Sequence, residues 1–154
     1  MPERFLDRGG GWVLGQSVLM LAVVILGPGV NSGPWAPWTG FASLVLLVAG
    51  GAVGVAGAMA LKYNRTIFPK PKQGSRLIQA GIYRWVRHPL YTSLMLLSAG
   101  WGLLWCSPLA LLIGGVLALF LNAKAAREER WLREQFPDYA EYERRVRRFV
   151  PRMY

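Results

Sequence analysis

Cysteine and histidine are nearly absent from this 154-residue chain, which has one of each, Cys106 and His88. A single cysteine excludes an internal disulfide. One Cys with one His excludes a Cys/His metal cluster. Acidic residues are also scarce, eight against eighteen basic ones, for a net charge of +10. That excess alone suggests a nucleic-acid partner, but its distribution excludes one. The charges avoid the long apolar runs and gather at their ends, as in a chain that lies in lipid. Internal repeats and low-complexity tracts are absent. The N-terminus, MPERFLDRGG, lacks a strongly basic stretch, and no small-residue cleavage site follows the first apolar run. That run is therefore expected to be a retained span rather than a signal peptide.

Apolar surface is abundant. Hydrophobic residues make up 53% of the chain, more than a soluble domain of this size can readily hide. They fall into four runs, Gly11–Gly27, Phe41–Leu61, Leu90–Trp105 and Pro108–Ala123, none of which contains Asp, Glu, Lys or Arg. A straight crossing helix needs about 20 residues, so the third and fourth runs must borrow length from their flanks. Only Trp105-Cys106-Ser107-Pro108 joins those two, which predicts a tight antiparallel hairpin. None of the runs has a polar face to turn to water, as a soluble bundle would need. The expected fold is all-α and polytopic: four transmembrane helices, a C-terminal hairpin and a cytoplasmic C-terminal helix. One domain is expected over 1–154, with two spans in 1–60 and the rest of the machinery in 61–154.

Basic residues give the orientation. Arg4 and Arg8 precede the first run, seven lie between the second and third, and nine follow the fourth. The other two connections have none. The positive-inside rule then places both termini and the long middle loop in the cytoplasm. In the second run, Gly50 and Gly54 have the small-xxx-small spacing that lets helices approach closely. Trp12, Trp35, Trp38, Trp101 and Trp105 fall near the ends of runs, where an aromatic belt accounts for them.

Two cytoplasmic segments carry the chemistry-capable residues. The first is Gly81-Ile82-Tyr83-Arg84-Trp85-Val86-Arg87-His88-Pro89-Leu90-Tyr91, which leads into the third run. Pro89 suits the first turn of a helix, where its missing N–H would be unpaired anyway. The positive end of that helix, with Arg87 and His88, suits an anionic group. A basic anchor among lipid headgroups is the plainer reading. The second segment runs from Lys124 through Arg127-Glu128-Glu129-Arg130-Trp131-Leu132 to Phe136-Pro137-Asp138-Tyr139-Ala140-Glu141-Tyr142 and ends near Pro151. Taken alone, it also reads as a surface helix with i,i+4 pairs.

Together, the ordered motifs G-x-Y-R-x-x-R-H-P-x-Y, E-E-x-x-L, F-P-x-Y-x-x-Y and R-V-x-R-x-x-P, set around the hairpin, resemble the isoprenylcysteine carboxyl methyltransferases and the related phospholipid N-methyltransferases. The resemblance covers about residues 61–151. It implies an integral membrane methyltransferase with S-adenosylmethionine as cofactor and a cytoplasmic active site. It also implies a membrane lipid or lipidated small molecule as acceptor. Carried over by motif, Ser75, Arg76, Leu77, Ile78, Tyr83, Arg87, His88, Pro89, Leu90 and Glu128 fall on cofactor-binding positions, with Asn64 a looser match. Arg87, His88 and Lys124 are the candidates nearest the chemistry. Lys124 stands where eukaryotic carboxyl methyltransferases have a substrate-contacting arginine. Lysine keeps the charge but loses the bidentate fork for a carboxylate. Eukaryotic members also have more spans.

Methyl transfer depends chiefly on proximity, orientation and exclusion of water. An ionised carboxylate needs no general base. An amine must be neutral when it attacks, and His88 or a glutamate can assist. Phosphatidylethanolamine-type N-methylation is the alternative within this class. The outline also resembles the C-terminal half of NADPH-dependent membrane sterol reductases, and a polybasic adaptor that holds anionic lipid is a third reading. If the fourth run continues as a helix, Lys124 and Glu128 share a face. Glu128 rather than Glu129 is then expected at the site.

Overall fold

The computed structural model describes residues 9–33, 35–61, 74 and 76–151. Ser75 and Asn64 lie outside these. The described chain is helical, in the order α1 (Gly10–Gly29), α2 (Trp38–Leu61), a 3-10 turn (Gly81–Arg84), α3 (Pro89–Leu104), α4 (Pro108–Gln135) and α5 (Tyr139–Arg145). Among the described residues there is no strand, only an isolated parallel bridge between Val86 and Arg147.

Helices α1, α2 and α4 are each long and apolar enough to cross a membrane. With 16 residues, α3 is about 24 Å long, short of the roughly 30 Å of hydrocarbon. It compensates by position: α3 packs against α1, α2 and α4, and only Leu104 along its length is exposed. The expected four-run pattern thus appears as three full-length helices around a shorter central one.

Small residues set how closely α2 and α3 approach. A Cβ on Gly54 would come within 2.6 Å of Ser93 Oγ, and one on Gly50 within 2.9 Å of Leu97. Ser93 Oγ uses the space to donate to Gly50 O at 2.6 Å, and Ser43 Oγ donates to Gly100 O at 2.9 Å. These bonds hold the pair where the apolar effect gives no drive between helices in lipid. The Gly50/Gly54 spacing therefore does serve packing.

The far ends of α1, α3 and α4 are joined by polar bonds. Pro28 lies inside α1 and has no N–H for Val24 O. The Trp101 indole N–H of α3 donates to that carbonyl at 3.3 Å. Gly27 permits this, since a side chain there would collide with Trp101 and Trp105. Trp101 is thus a packing and bonding residue as well as an aromatic near a run's end. In the hairpin turn, Cys106 takes a left-handed φ of 48°. Ser107 caps α4 by accepting from Ala110 N at 3.2 Å, and its hydroxyl donates to Leu26 O at 2.8 Å.

These contacts fix relative directions. Gly57, late in α2, meets Pro89 at the start of α3, and Gln16, early in α1, meets Lys124, late in α4. The starts of α1 and α3 and the ends of α2 and α4 therefore share one end of the bundle. At about 42 Å, α4 is longer than the hydrocarbon and carries Glu128 and Glu129 past its apolar stretch. Beyond it, Tyr139, Tyr142 and Val146 form a small core with Leu77, Leu132 and Phe136. The F-P-x-Y-x-x-Y motif is thus largely a packing motif.

Candidate functional site

The entry to α3 is held from both sides. Gly81 opens the 3-10 turn at φ +61°, a backbone position suited to glycine. Tyr142 Oη donates to Tyr83 O at 2.7 Å, which ties the turn to α5. The C-terminal segment then runs beside the helix start. Arg87 N donates to Arg147 O at 2.9 Å, and His88 N donates to Arg148 O at 3.1 Å. Thr92 Oγ1 adds a bond to Phe149 O at 3.0 Å. Pro89 occupies the first turn, as its chemistry predicts.

An anion does lie beside Arg87 and His88, and it belongs to the chain. Glu129 is fully buried. His88 Nε2 stands 3.0 Å from its Oε1 and Arg87 Nη2 3.4 Å. Arg148 grips both carboxylate oxygens, Nε to Oε1 at 3.1 Å and Nη2 to Oε2 at 2.6 Å. Its remaining arm, Nη1, donates to Asn122 Oδ1 at 2.8 Å. A buried carboxylate needs such compensation, because desolvation without it costs several kcal/mol. The cluster joins α3, α4 and the C-terminal segment.

Arg87 continues the network outward. Its Nη1 lies 2.7 Å from Glu143 Oε1, and Arg133 binds the same carboxylate through Nε and Nη2, both at 2.8 Å. The bonds from Arg133, opposed by partial burial and reinforced by Arg87, hold the Glu143 carboxyl below its ordinary pKa. Arg87 Nε is buried without a partner among the described residues, as is Tyr139 Oη.

Glu128 is placed differently. Its side chain is 24% exposed, and its Oε2 accepts from Tyr91 Oη at 2.7 Å. The same oxygen is 3.8 Å from His88 Nδ1. The His88 and Tyr91 rings stack, 5.3 Å apart and 1° from parallel. Tyr83 is close by: burial, with the Glu128 charge adding to it, pushes its phenol well above the ordinary value. It is therefore a neutral hydroxyl at any physiological pH. One turn earlier on α4, the Lys124 ammonium sits over the Tyr91 ring, 5.2 Å from its centroid, and donates to Gln16 Oε1 at 2.6 Å.

Of the residues expected from sequence, Tyr83, His88, Lys124 and Glu128 thus come together with Tyr91 at one end of the bundle. Arg87 turns away, toward Glu143 and Glu129. Pro89 and Leu90 pack against Gly57, and Leu77 joins the α5 core. Ile78 is half-buried and Arg76 exposed. Glu128 and Glu129 both face the interior, so the expected contrast between an inward and an outward glutamate is replaced by one between a rim and a buried carboxylate. The residues not anticipated are Gln16, Asn122, Glu129, Arg148 and the hydroxyl of Tyr91. The site offers a partly open carboxylate, two phenols and an imidazole, a set suited to ligand hydroxyls and positive charge. Among the described residues no three His, Cys, Asp or Glu side chains gather to hold a metal ion.

Residues 38–139 match the phospholipid methyltransferase family. The chain is 31% identical over 117 residues to the cobalt-zinc-cadmium resistance protein CzcN of Cupriavidus metallidurans, covering 75% of this chain and 54% of that protein. It is 26% identical over 135 residues to protein-S-isoprenylcysteine O-methyltransferase B of Arabidopsis thaliana, covering 85% of this chain and 67% of that one. The chain therefore spans about half the length of the first relative and two thirds of the second.

Proposed function

We propose that this chain, which belongs to the phospholipid methyltransferase family, is an S-adenosylmethionine-dependent methyltransferase acting on a lipid or isoprenyl-type acceptor, with a carboxyl group as the methylated function. The observation that carries the reading is the convergence of His88, Tyr91 and Glu128, with Tyr83 nearby, at the end of the bundle that gathers the chain's basic residues. We read α3 as the fourth crossing and the site as cytoplasmic, since the charge distribution puts that end inside.

The residues present fit the cofactor. Glu128 spends one oxygen on Tyr91 and leaves Oε1 without a partner among the described residues, available to ribose hydroxyls or a positive charge. Tyr83 and His88, with Leu90 and Ile78, are the other groups to hold it. The cofactor, when bound, supplies an activated methyl on a sulfonium. The protein's part is orientation and exclusion of water. Glu129 fixes the His88 ring through Nε2, which turns Nδ1 toward Glu128. Arg87 and Arg148 fix Glu129 in turn. The acceptor reaches the site sideways from the bilayer, because a long apolar chain is costly to carry through water.

Phosphatidylethanolamine-type N-methylation is the second reading for the acceptor, and the family description favours it. The deciding experiment for the cofactor is thermal unfolding of the purified protein with S-adenosylhomocysteine and with NADPH in parallel. A ligand at a hundredfold excess over Kd stabilises by about 2.7 kcal/mol. A shift with S-adenosylhomocysteine alone is expected, and a shift with NADPH alone would overturn the reading.

A further inference from the structure

The 3-10 turn and the C-terminal segment lie side by side at the end of the bundle that holds the site. Val86 pairs with Arg147 in a parallel bridge, and Arg87 N donates to Arg147 O at 2.9 Å. The two segments bury Val86 and Phe149 and present Arg84, Trp85, Arg147 and Val150 outward. Trp85 is 59% exposed and Val150 44%. Neither Arg84 nor Arg147 has an ion pair or a side-chain hydrogen bond among the described residues. The carboxylates of α5 are engaged elsewhere: Glu141 faces Arg145 at 3.6 Å, and Glu143 is shared by Arg87 and Arg133. An uncovered indole therefore sits beside two uncommitted guanidinium groups.

The depth of this patch follows from α2. With 24 residues, α2 is about 36 Å long, a little more than the roughly 30 Å of hydrocarbon. Its last turn therefore reaches the headgroup layer. Gly81 rests there, since a Cβ on it would lie 3.7 Å from the Cβ of Ala60. The turn that carries Arg84 and Trp85 is thus level with the headgroups, where indole rings are favoured and guanidinium groups meet phosphate. A leaflet with anionic lipid supplies both the apolar cover and the negative charge that the patch lacks. With both α5 carboxylates engaged, the patch offers nothing to a choline or ethanolamine ammonium, so the net charge of the headgroup decides.

We propose that Arg84 and Arg147, with Trp85 and Val150, form a binding site for the headgroup of an anionic phospholipid, apart from the site built on His88 and Glu128. The guanidinium groups take the phosphate, and Trp85 lies at the boundary between headgroup and acyl chain. General attraction of a basic protein end to an anionic leaflet would favour no particular arginine. Arg130, also exposed and without a partner among the described residues, is the control for that. The inference holds whichever acceptor the enzyme methylates.

The test uses the full chain in phosphatidylcholine nanodiscs that carry the same minor share of either dibrominated phosphatidylglycerol or dibrominated phosphatidylcholine. Bromine quenches tryptophan fluorescence on contact, and the difference between wild type and Trp85→Phe isolates the Trp85 signal. Both lipids are expected to quench that signal. Phosphatidylglycerol should be enriched at Trp85 by about fivefold or more, the factor that one basic residue near an anionic surface contributes. The double variant Arg84→Gln, Arg147→Gln is expected to bring the two lipids level, with a thermal midpoint near that of the wild type as the check on folding. Arg130→Gln, which removes a charge elsewhere, should leave the preference in place. A Trp85 signal that neither lipid quenches would overturn the proposal and give the patch to a protein partner. Equal quenching by the two lipids in the wild type would overturn it as well. A preference that survives the double substitution, or that Arg130→Gln removes as fully, would reduce the site to diffuse charge and defeat it.

Discussion

His88 Nε2 stands 3.0 Å from a Glu129 carboxylate that has no exposure at all, while His88 Nδ1 is 3.8 Å from Glu128 at the rim. One imidazole thus links two adjacent glutamates with opposite environments. The inner one is surrounded by guanidinium groups, and the outer one is partly exposed and bonded to Tyr91.

The two glutamates should therefore fail in different ways. Glu129→Gln removes the charge that Arg87 and Arg148 are buried against, and breaking a buried pair costs about 3–5 kcal/mol. Its thermal midpoint should fall sharply. Glu128→Gln should unfold close to the wild type but lose S-adenosylhomocysteine affinity. Register alone suggests the milder effect at Glu129, and the burial of that residue reverses the order for stability. Equal midpoints for the two variants would contradict the buried cluster.

The Glu143 clamp predicts an acid-labile contribution to stability. Its folded pKa is lowered, chiefly by the bonds from Arg133. Its contribution is therefore complete above the ordinary glutamate value of about 4.3 and is lost as pH falls toward the lowered value. The difference in thermal midpoint between wild type and Glu143→Gln should be constant near neutral pH and shrink below about pH 4.3. A difference that grows on acidification would give the wrong sign.

Gly54→Ala should weaken the α2–α3 contact. The new methyl meets Ser93 Oγ and displaces the hydroxyl from Gly50 O. Overpacking of this kind costs about 1–3 kcal/mol. The same change at Gly51, where a Cβ meets nothing within 4 Å, should be nearly neutral. Thermal unfolding of both variants checks the contrast.

The orientation is open to labelling. In a Cys106→Ser background, Asn31→Cys should react with an impermeant thiol reagent added to intact cells, and Gln135→Cys only after lysis. Both positions are exposed and lie at opposite ends of the bundle. The reverse pattern would place the site on the non-cytoplasmic side.

Much of this was legible in the sequence, because apolar runs, hairpin spacing and Pro89 act locally. The extension of α4 was legible too, since 124–135 is rich in helix-forming Ala, Arg, Glu and Lys. The burial of Glu129 left a readable trace: Leu117, Leu121, Ala125 and Glu129 follow one another at i+4 and are all fully buried. The glutamate simply continues an apolar stripe. What the pattern could not supply was the partner. Arg148 is one of nine basic residues after the fourth run, and although it falls on the second arginine of R-V-x-R-x-x-P, nothing local names Glu129 as its partner. Gln16 and Lys124 are 108 residues apart, and only the packing of α1 on α4 joins them.

The bond from Trp101 to Val24 O also bears on biogenesis. Made before α3, α1 carries a carbonyl that Pro28 cannot serve, and in hydrocarbon an unsatisfied backbone group costs several kcal/mol. Its donor is synthesised more than seventy residues later, whereas Leu26 O already accepts locally from Val30 N and gains the Ser107 hydroxyl only as a second partner. The backbone of α1 is thus completed only by a side chain from a later helix. The carbonyl at Val24 gains its donor only when α3 packs beside α1, so this part of the helix is completed in the reverse of the order in which the chain is made.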